Sequence, residues 1–203
     1  MSVPVYCPQC GSLLTTKFEG GRDREACLTE GCGYFYFGEA SIGCGGVVVQ
    51  GDRVLLIQRG IQPGRGTWQI PGGYVEADEI IHAAVEREVL EEAGIVARVT
   101  DSLGWRHTAS APSNTPDRPD RPANIYVVFR LDHVSGDPIH DGDETLNAGF
   151  FSLAEMARME GVQALSLWAI RLALAHPPNA GLVSNHDHFD MRPGWSLFGL
   201  NRD

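Results

Sequence analysis

The chain has no run of about 18 apolar residues, so nothing in it reads as a membrane-spanning helix. Met1 to Pro8 lacks the basic start and apolar stretch of a secretion signal, which makes a cytoplasmic location the expectation. Positive charge is in short supply: 16 Lys plus Arg face 26 Asp plus Glu, a formal net charge of −10. No global field draws in a polyanion, so a phosphate-bearing partner has to be neutralised locally by bound cations. Cysteine is scarce and odd in number, five in all, so full disulfide pairing is excluded and metal ligation is favoured in a reducing compartment. The 43% hydrophobic content over 203 residues excludes disorder and allows one ordinary domain plus something small.

Four of the five cysteines lie between Tyr6 and Phe37, a glycine-rich stretch with no helical or sustained strand periodicity. Cys7-Pro8-Gln9-Cys10 and Cys27-Leu28-Thr29-Glu30-Gly31-Cys32 form two knuckles with sixteen residues between them. Four thiolates so spaced suit tetrahedral Zn²⁺, and Gly11 and Gly33 permit the tight turns that aim sulfurs inward. A redox Cys-x-x-Cys needs a following helix and a βαβ pattern, and neither is present. The expected zinc is structural. Tyr34-Phe35-Tyr36-Phe37 suggests base stacking, but Lys17, Arg22 and Arg24 are outnumbered by Glu19, Asp23, Glu25 and Glu30, so nucleic acid is not the expected partner; packing of these rings against the following domain is. Cys44, in an apolar strand, reads as a core residue, and His186-Asp187-His188 as incidental.

From Ile42 the texture changes. Val47-Val48-Val49 and Val54-Leu55-Leu56-Ile57 flank Gly51-Asp52, a hairpin signal. A Gly/Pro-rich connection leads through Trp68-Gln69-Ile70 to the breaker Pro71-Gly72-Gly73. Glu79 to Ala93, without Gly or Pro, predicts a helix of about four turns, with Asp78 as N-cap and Gly94 after its end. Ile95 to Val99, Leu103 to Thr108, Ile125 to Leu131 and Gly149 to Phe151 predict strands. Ser152 with Glu155 predicts a capping box, and Val162 to His176 a helix with Leu165, Trp168, Ala169 and Leu172 on one face. The resulting organisation is a ribbon over 1–38, a main domain over 39–176 and an irregular tail over 177–203.

On the first predicted helix, Glu88, Glu91 and Glu92 fall within an arc of about 100°. A solvated acidic face is the ordinary explanation of such a run. Here the preceding Pro-Gly-Gly turn brings backbone carbonyls near, and hard oxygen ligands at this density suit Mg²⁺ or Mn²⁺. The stretch from Gly73 to Ile95 resembles the Nudix box: Gly, five residues, Glu, seven residues, Arg-Glu, aliphatic, any, Glu-Glu, any, Gly, aliphatic, with each fixed position filled. Arg59-Gly60-Ile61-Gln62-Pro63 and Gly66-Thr67-Trp68-Gln69-Ile70-Pro71-Gly72-Gly73 look like the strand and loop that precede such a box.

The resemblance implies an α/β fold, the α/β/α sandwich of the Nudix family with a mixed sheet, behind a small N-terminal zinc ribbon. It implies Glu88 and Glu92 as the main metal ligands, Glu91 and the Gly72 carbonyl as further oxygens, and Arg87 paired with Glu79 to orient the cluster. It places a general base on the loop before the last strand, where Glu144 stands, an acidic surface loop being the equal alternative. A ribbon ahead of such a box is similar to a subgroup that includes ADP-ribose, FAD and NADH pyrophosphatases, although the tail lacks the Ser-Gln-Pro-Trp-Pro-Phe-Pro signature of the NADH enzymes. The expected reaction is water attack on a diphosphate that joins a nucleoside to a second moiety. The expected partner is a small nucleotide, with a homodimer left open. Arg118 and Arg121, in the Pro-rich loop from Ala109 to Ala123, are candidate contacts to phosphate or ribose oxygens, a solvated loop being the equal alternative, and Pro112, 17 residues after Ile95, resembles a proline that ADP-ribose hydrolases carry near that place. The alternatives are a triphosphate pool-cleaning enzyme and a non-catalytic nucleotide-sensing or nucleic-acid-associated module.

Overall fold

The computed structural model describes residues 3–111, 122–184 and 196–200. They fall into two compact units, one within Met1–Ala40 and Thr108–Ala123, the other within Ser41–His107 and Asn124–Asp203.

In the first unit, β1 (Thr15–Glu19) and β2 (Arg22–Ala26) form an antiparallel hairpin, with Thr15 opposite Ala26 and Glu19 opposite Arg22. Gly20 and Gly21 turn it, at φ 57° and 79°, where other residues are strained. This hairpin forms where the sequence shows no sustained strand periodicity. All five β1 residues are exposed, so no buried face imposes the period-two pattern by which strands are read. The small core is Cys7, Leu14 and Cys27, with Cys32 and Tyr34 packed against it. Lys17 Nζ lies 4.8 Å from the Phe35 ring and the Arg24 guanidinium 4.7 Å from Phe37, so two of the aromatics meet cations within their own unit.

The second unit is built on a nine-stranded mixed sheet. Its strands are β3 (Ala40–Gln50), β4 (Arg53–Arg59), β5 (Trp68–Gln69), β6 (Gly72–Tyr74), β7 (Val96–Thr108), β8 (Ala123–Ser135), β9 (Thr145–Phe151), β10 (Leu182–Ser184) and β11 (Phe198–Leu200). The spatial order is β11-β10-β7-β8-β3-β4-β5, with β6 on β3 and β9 on β4. Alternation along the strands feeds two cores. Val48, Leu55, Ile57, Phe129 and Leu131 face α1 (Ile81–Ala93) through its Ala84, Val85, Val89 and Ala93. Val47, Val54, Leu56 and Val128 face Met156 of α2 (Leu153–Met156) and Ala169, Ile170 and Ala173 of α3 (Ala164–Ala175). Helices therefore cover both faces, the expected α/β/α sandwich, and each fully buried Val or Leu contributes about 1.5–3 kcal/mol.

Several boundaries move. The helix α1 starts at Ile81, with Ile80 as an N-cap that makes no side-chain bond, in place of Asp78. The reason is that residues 76–79 close a turn of their own, in which the Glu76 amide donates to Glu79 Oε1 at 2.9 Å. Gly94 ends the helix in the left-handed conformation, as expected. The two strands expected between Ile95 and Thr108 are one, β7, and Gly72 to Tyr74 pairs as β6 rather than only breaking the chain. On α3 the buried stripe is Ser166, Ala169, Ile170 and Ala173, turned from the expected one, and Trp168 is exposed. Ser166 is inside because its hydroxyl accepts the Ile70 amide at 3.1 Å. The capping box at Ser152 and Glu155 is present. The tail, expected to be irregular, adds β10 and β11 to the sheet, held by buried Asp101, whose carboxylate accepts the amides of Asn179 and Gly181 at 3.0 and 2.9 Å.

Candidate active site

The strands β3 and β4 pair only beside their turn, Val49 with Val54 and Gln50 with Arg53, and then part. Into the split the chain inserts residues 68–74: β5 takes Ile57 and Gln58 of β4, and β6 takes Gly43, Cys44 and Gly45 of β3. Pro71 bridges the two by accepting the Gly46 amide at 2.9 Å. Gly72 sits here at φ 154°, where a Cβ would strike the Cys44 carbonyl and lie 2.6 Å from both the Gly45 Cα and the Tyr126 hydroxyl. At Gly73 a Cβ would run into the Glu88 carboxylate. The two glycines thus serve different neighbours, the first the sheet and the second an acidic side chain from α1.

Glu92 is 7% exposed, and its Oε2 accepts the Gly72 amide at 2.7 Å. Burial pushes its carboxyl up to about 8, reinforced by the charges of Glu88 and Glu144 and opposed by the Gly72 amide and Arg59. Burial likewise raises Glu88, opposed by Arg87 and reinforced by Glu91 and Glu144. Glu144, 52 residues downstream of Glu92, therefore acts on both helix carboxylates.

Arg87 is bound in a fork. Its Nε and Nη2 donate to Glu79 Oε2 and Oε1 at 3.1 and 2.8 Å, Nη1 to Glu88 Oε1 at 2.9 Å and Glu91 Oε2 at 2.8 Å, and Nη2 to the Tyr74 carbonyl at 3.3 Å. One planar guanidinium holds three carboxylates and the β6 backbone in a single arrangement. The Arg87 bond holds Glu79 below the usual carboxylate range against some burial.

The loop carrying Glu144 is tied down by Thr145, which is fully buried. Its hydroxyl donates to the Glu92 carbonyl at 3.1 Å and accepts the Asp141 amide at 3.1 Å. Asp141 Oδ1 accepts the amides of Asp143 and Thr145, both at 2.9 Å. Burial opposes ionisation of Asp141, but these bonds outweigh it and hold the carboxyl low. The Glu144 carbonyl accepts the Gly60 amide at 2.7 Å, and the Ile139 amide donates to Ala93 at the end of α1 at 2.9 Å. The loop is a fixed one, joined to both the helix and β4.

In the first unit the Sγ atoms of Cys7, Cys10, Cys27 and Cys32 lie within 4.8 Å of one another, with Cys10 to Cys27 at 3.4 Å and Cys7 to Cys32 at 3.6 Å. These separations bracket the edge of roughly 3.8 Å of a tetrahedron whose metal–sulfur bonds are about 2.3 Å, and no disulfide joins them. Bonds from the Ser12 side chain and amide hold the Cys10 thiol down to about 6. The bond from the Tyr34 amide favours the Cys32 thiolate, but burial and the other sulfurs outweigh it and push that thiol up to about 12. Four sulfurs converging at this spacing fit a divalent cation.

A sequence model of the NUDIX domain matches residues 41–169, more than half of the chain. The chain belongs to the Nudix family. An ADP-ribose pyrophosphatase of Methanocaldococcus jannaschii is 34% identical over 114 residues, 56% of this chain and 63% of that one. An NAD-capped RNA hydrolase, NudC, of Yersinia enterocolitica is 30% identical over 146 residues, 72% of this chain and 50% of that one. The chain thus spans between half and two thirds of these relatives. A Nudix hydrolase structure from Nitrosomonas europaea superposes with a TM-score of 0.62 at 22% identity, covering 85% of this chain and 94% of that one, and shows the fold. A MutT Nudix hydrolase from Burkholderia pseudomallei gives 0.56 at 26% identity, covering 66% and 98%.

Within this Nudix unit the structure brings together Gly72, Glu79, Arg87, Glu88, Glu91, Glu92 and Glu144. Cys44 is fully buried in the core below α1, where burial pushes its thiol up to about 12. Pro112, Arg118, Arg121 and His186-Asp187-His188 lie outside the described residues. Sequence reasoning missed Thr145 and Asp141, which hold the Glu144 loop, and Tyr126, which lies against Gly43, Gly45 and Gly72. The glycines at alternate positions of β3 were the available signal, since glycine inside a strand marks a close approach.

Proposed function

We propose that the chain is a divalent-metal-dependent pyrophosphohydrolase that cleaves the diphosphate of a nucleoside diphosphate joined to a second moiety, of the ADP-ribose, FAD or NADH type. The observation that carries this is the convergence of Glu88, Glu92 and Glu144 beside the Gly72–Gly73 turn, three mutually repelling acids with two of them driven up by burial. Such a set is relieved by a cation. Glu88, Glu91 and Glu92, with the Gly72 carbonyl, would hold Mg²⁺ or Mn²⁺, and the ion would polarise the diphosphate and lower the pKa of water at phosphorus. Arg87, locked to Glu79, keeps Glu88 and Glu91 aimed. Glu144 accepts the proton of the attacking water from a loop that Thr145 fixes to α1. The four cysteines would hold Zn²⁺ as a staple of the first unit, with no part in hydrolysis.

The substrate class is supported by the M. jannaschii relative at 34% identity and by the Yersinia relative. ADP-ribose and an NAD cap share a diphosphate between two ribosyl groups. The test is a panel of ADP-ribose, FAD, NADH, NAD-capped RNA, ATP and dGTP with Mg²⁺ or Mn²⁺, with products identified. A specificity constant for ADP-ribose, FAD or NADH above that for the triphosphates is expected. Triphosphates ahead by tenfold would assign the chain to pool cleaning instead, and nucleotide binding without turnover would make it a sensor.

A further inference from the structure

Three arginines around the sheet are neutralised in place. Arg53 pairs with Glu155, Arg98 with Glu86, and Arg87 with Glu79, Glu88 and Glu91. Arg130 is buried with its Nη1 on the carbonyls of Ala173 and His176, where it caps the end of α3. Among the described residues Arg59 has only a carbonyl, its Nε donating to Pro63 at 2.9 Å, and Arg106 is likewise without a carboxylate. Its Nη2 donates to a neutral amide oxygen, Asn124 Oδ1, at 2.6 Å, and among the described residues no carboxylate pairs with it. Asn124 is itself held, donating through Nδ2 to the Ser41 hydroxyl at 2.9 Å and the Ser41 carbonyl at 3.3 Å. The guanidinium lies over the Tyr126 ring, 5.4 Å from its centroid, while the side chain stays exposed. An arginine fixed by an amide and a ring keeps its full charge and its remaining in-plane donors.

The place of this cation matters as much as its charge. The Tyr126 ring lies in a trough floored by glycine: a Cβ on Gly43 would stand 2.8 Å from its Cδ2, one on Gly45 would strike its hydroxyl, and one on Gly72 would stand 2.6 Å from that hydroxyl. The ring therefore runs from Arg106 at one side to Gly72 at the other, and the Gly72 amide is bonded to Glu92. Tyr126 thus lies between Gly72, whose amide holds Glu92, and a guanidinium that no described carboxylate neutralises. In a chain of net charge −10, a diphosphate gripped at the cluster still needs a cation for the oxygens that point away from it.

We propose that Arg106 binds a non-bridging oxygen of the substrate's diphosphate, on the side away from Glu88 and Glu92, and that Tyr126 is the positioning residue that holds the guanidinium there. This rests on the pyrophosphohydrolase reading above and names the anchor that a nucleoside diphosphate meets in that site. The exposed Arg106 supplies directed donors, and among the described residues no carboxylate has to be displaced, so its contribution appears as affinity for the anion rather than as chemistry.

The experiment is steady-state kinetics of the full chain with ADP-ribose and Mg²⁺, alongside calorimetric binding of ADP, for Arg106→Gln, Tyr126→Leu and Tyr126→Phe. Loss of one charged hydrogen bond corresponds to roughly a 10- to 100-fold weakening. Arg106→Gln is expected to raise KM and the ADP dissociation constant by that factor with kcat within about threefold, while its melting temperature stays put. Tyr126→Leu should follow it, and Tyr126→Phe, which keeps the ring, should recover most of the lost affinity. Unchanged KM and ADP affinity in Arg106→Gln, in an otherwise active enzyme, overturns this proposal alone. A fall in kcat at constant KM also overturns it, by moving Arg106 into the chemical step. Failure of the unsubstituted chain to bind ADP or to hydrolyse ADP-ribose overturns both this proposal and the reading beneath it.

Discussion

Glu92 shows how one residue's environment becomes a measurable property. Its carboxyl rises to about 8 in the folded, metal-free protein, whereas an exposed glutamate ionises near the ordinary 4.5. Between those values the folded state holds a proton that the unfolded state has released, so the stability of the metal-free protein falls as pH climbs from about 4.5 to 8. Below that window the contribution is fully present. Thermal melts in chelator across pH 4.5 to 8.5 should show this decline, and Glu92→Gln, which stays neutral throughout, should flatten it. The same substitution removes a proposed metal ligand while keeping a helix-compatible shape, so activity at saturating Mg²⁺ should drop by several orders of magnitude in a folded protein. Wild-type rates in Glu92→Gln would remove the metal assignment, whatever the melts show.

The elements around α1 are joined by polar contacts that periodicity does not report. The end of α1 is tied to the start of β9 through Thr145, whose hydroxyl serves the Glu92 carbonyl and the Asp141 amide in a fully buried place. Thr145→Val keeps the volume and strands both partners, which costs about 1–3 kcal/mol of stability. The loop that carries Glu144 should loosen with it. The expectation is a lowered urea midpoint together with a fall in kcat at little change in Mg²⁺ affinity, because the helix ligands stay where they are. If stability falls and kcat does not, Glu144 takes no part in the chemistry. At this scale the helix of the box, its Gly94 stop, the β3–β4 turn at Gly51-Asp52 and the Ser152–Glu155 box were readable, since each is a local signal. The start of α1 was not, because Glu79 is drawn off by Arg87, eight residues away. Nor was the buried stripe of α3, where the Ile70 amide draws Ser166 inward in place of a leucine.

On the scale of the whole molecule the two units have separate cores, one of them little more than Cys7, Leu14 and Cys27. So small a core does not hold a fold by itself, and the convergent thiols are the available staple. Metal analysis after dialysis should find about one zinc per chain, and Cys27→Ser should lose it. A strong chelator should then release that zinc and unfold the first unit. A later, chelator-insensitive transition should remain, belonging to the sheet of the second unit, whose helices and strands need no metal to pack. A single transition unaffected by chelator, with four freely reactive thiols, would contradict the ribbon reading.

What the sequence determined alone is whatever neighbours in the chain can enforce: the spacing of Cys7, Cys10, Cys27 and Cys32, the carboxylates of one helix face, the apolar runs of β3 and β4. Tertiary structure decided the rest. Only the parting of β3 and β4 explains why Pro71-Gly72-Gly73 lies inside a sheet, and only the close approach of Glu88 explains why a side chain at Gly73 would displace that carboxylate. Only the fold brings Glu144 within electrostatic reach of Glu88 and Glu92, and Tyr126 between Arg106 and Gly72. The physical reason is range: capping, periodicity and turn chemistry act over a few residues, whereas the desolvation that raises Glu92 depends on every element packed around it.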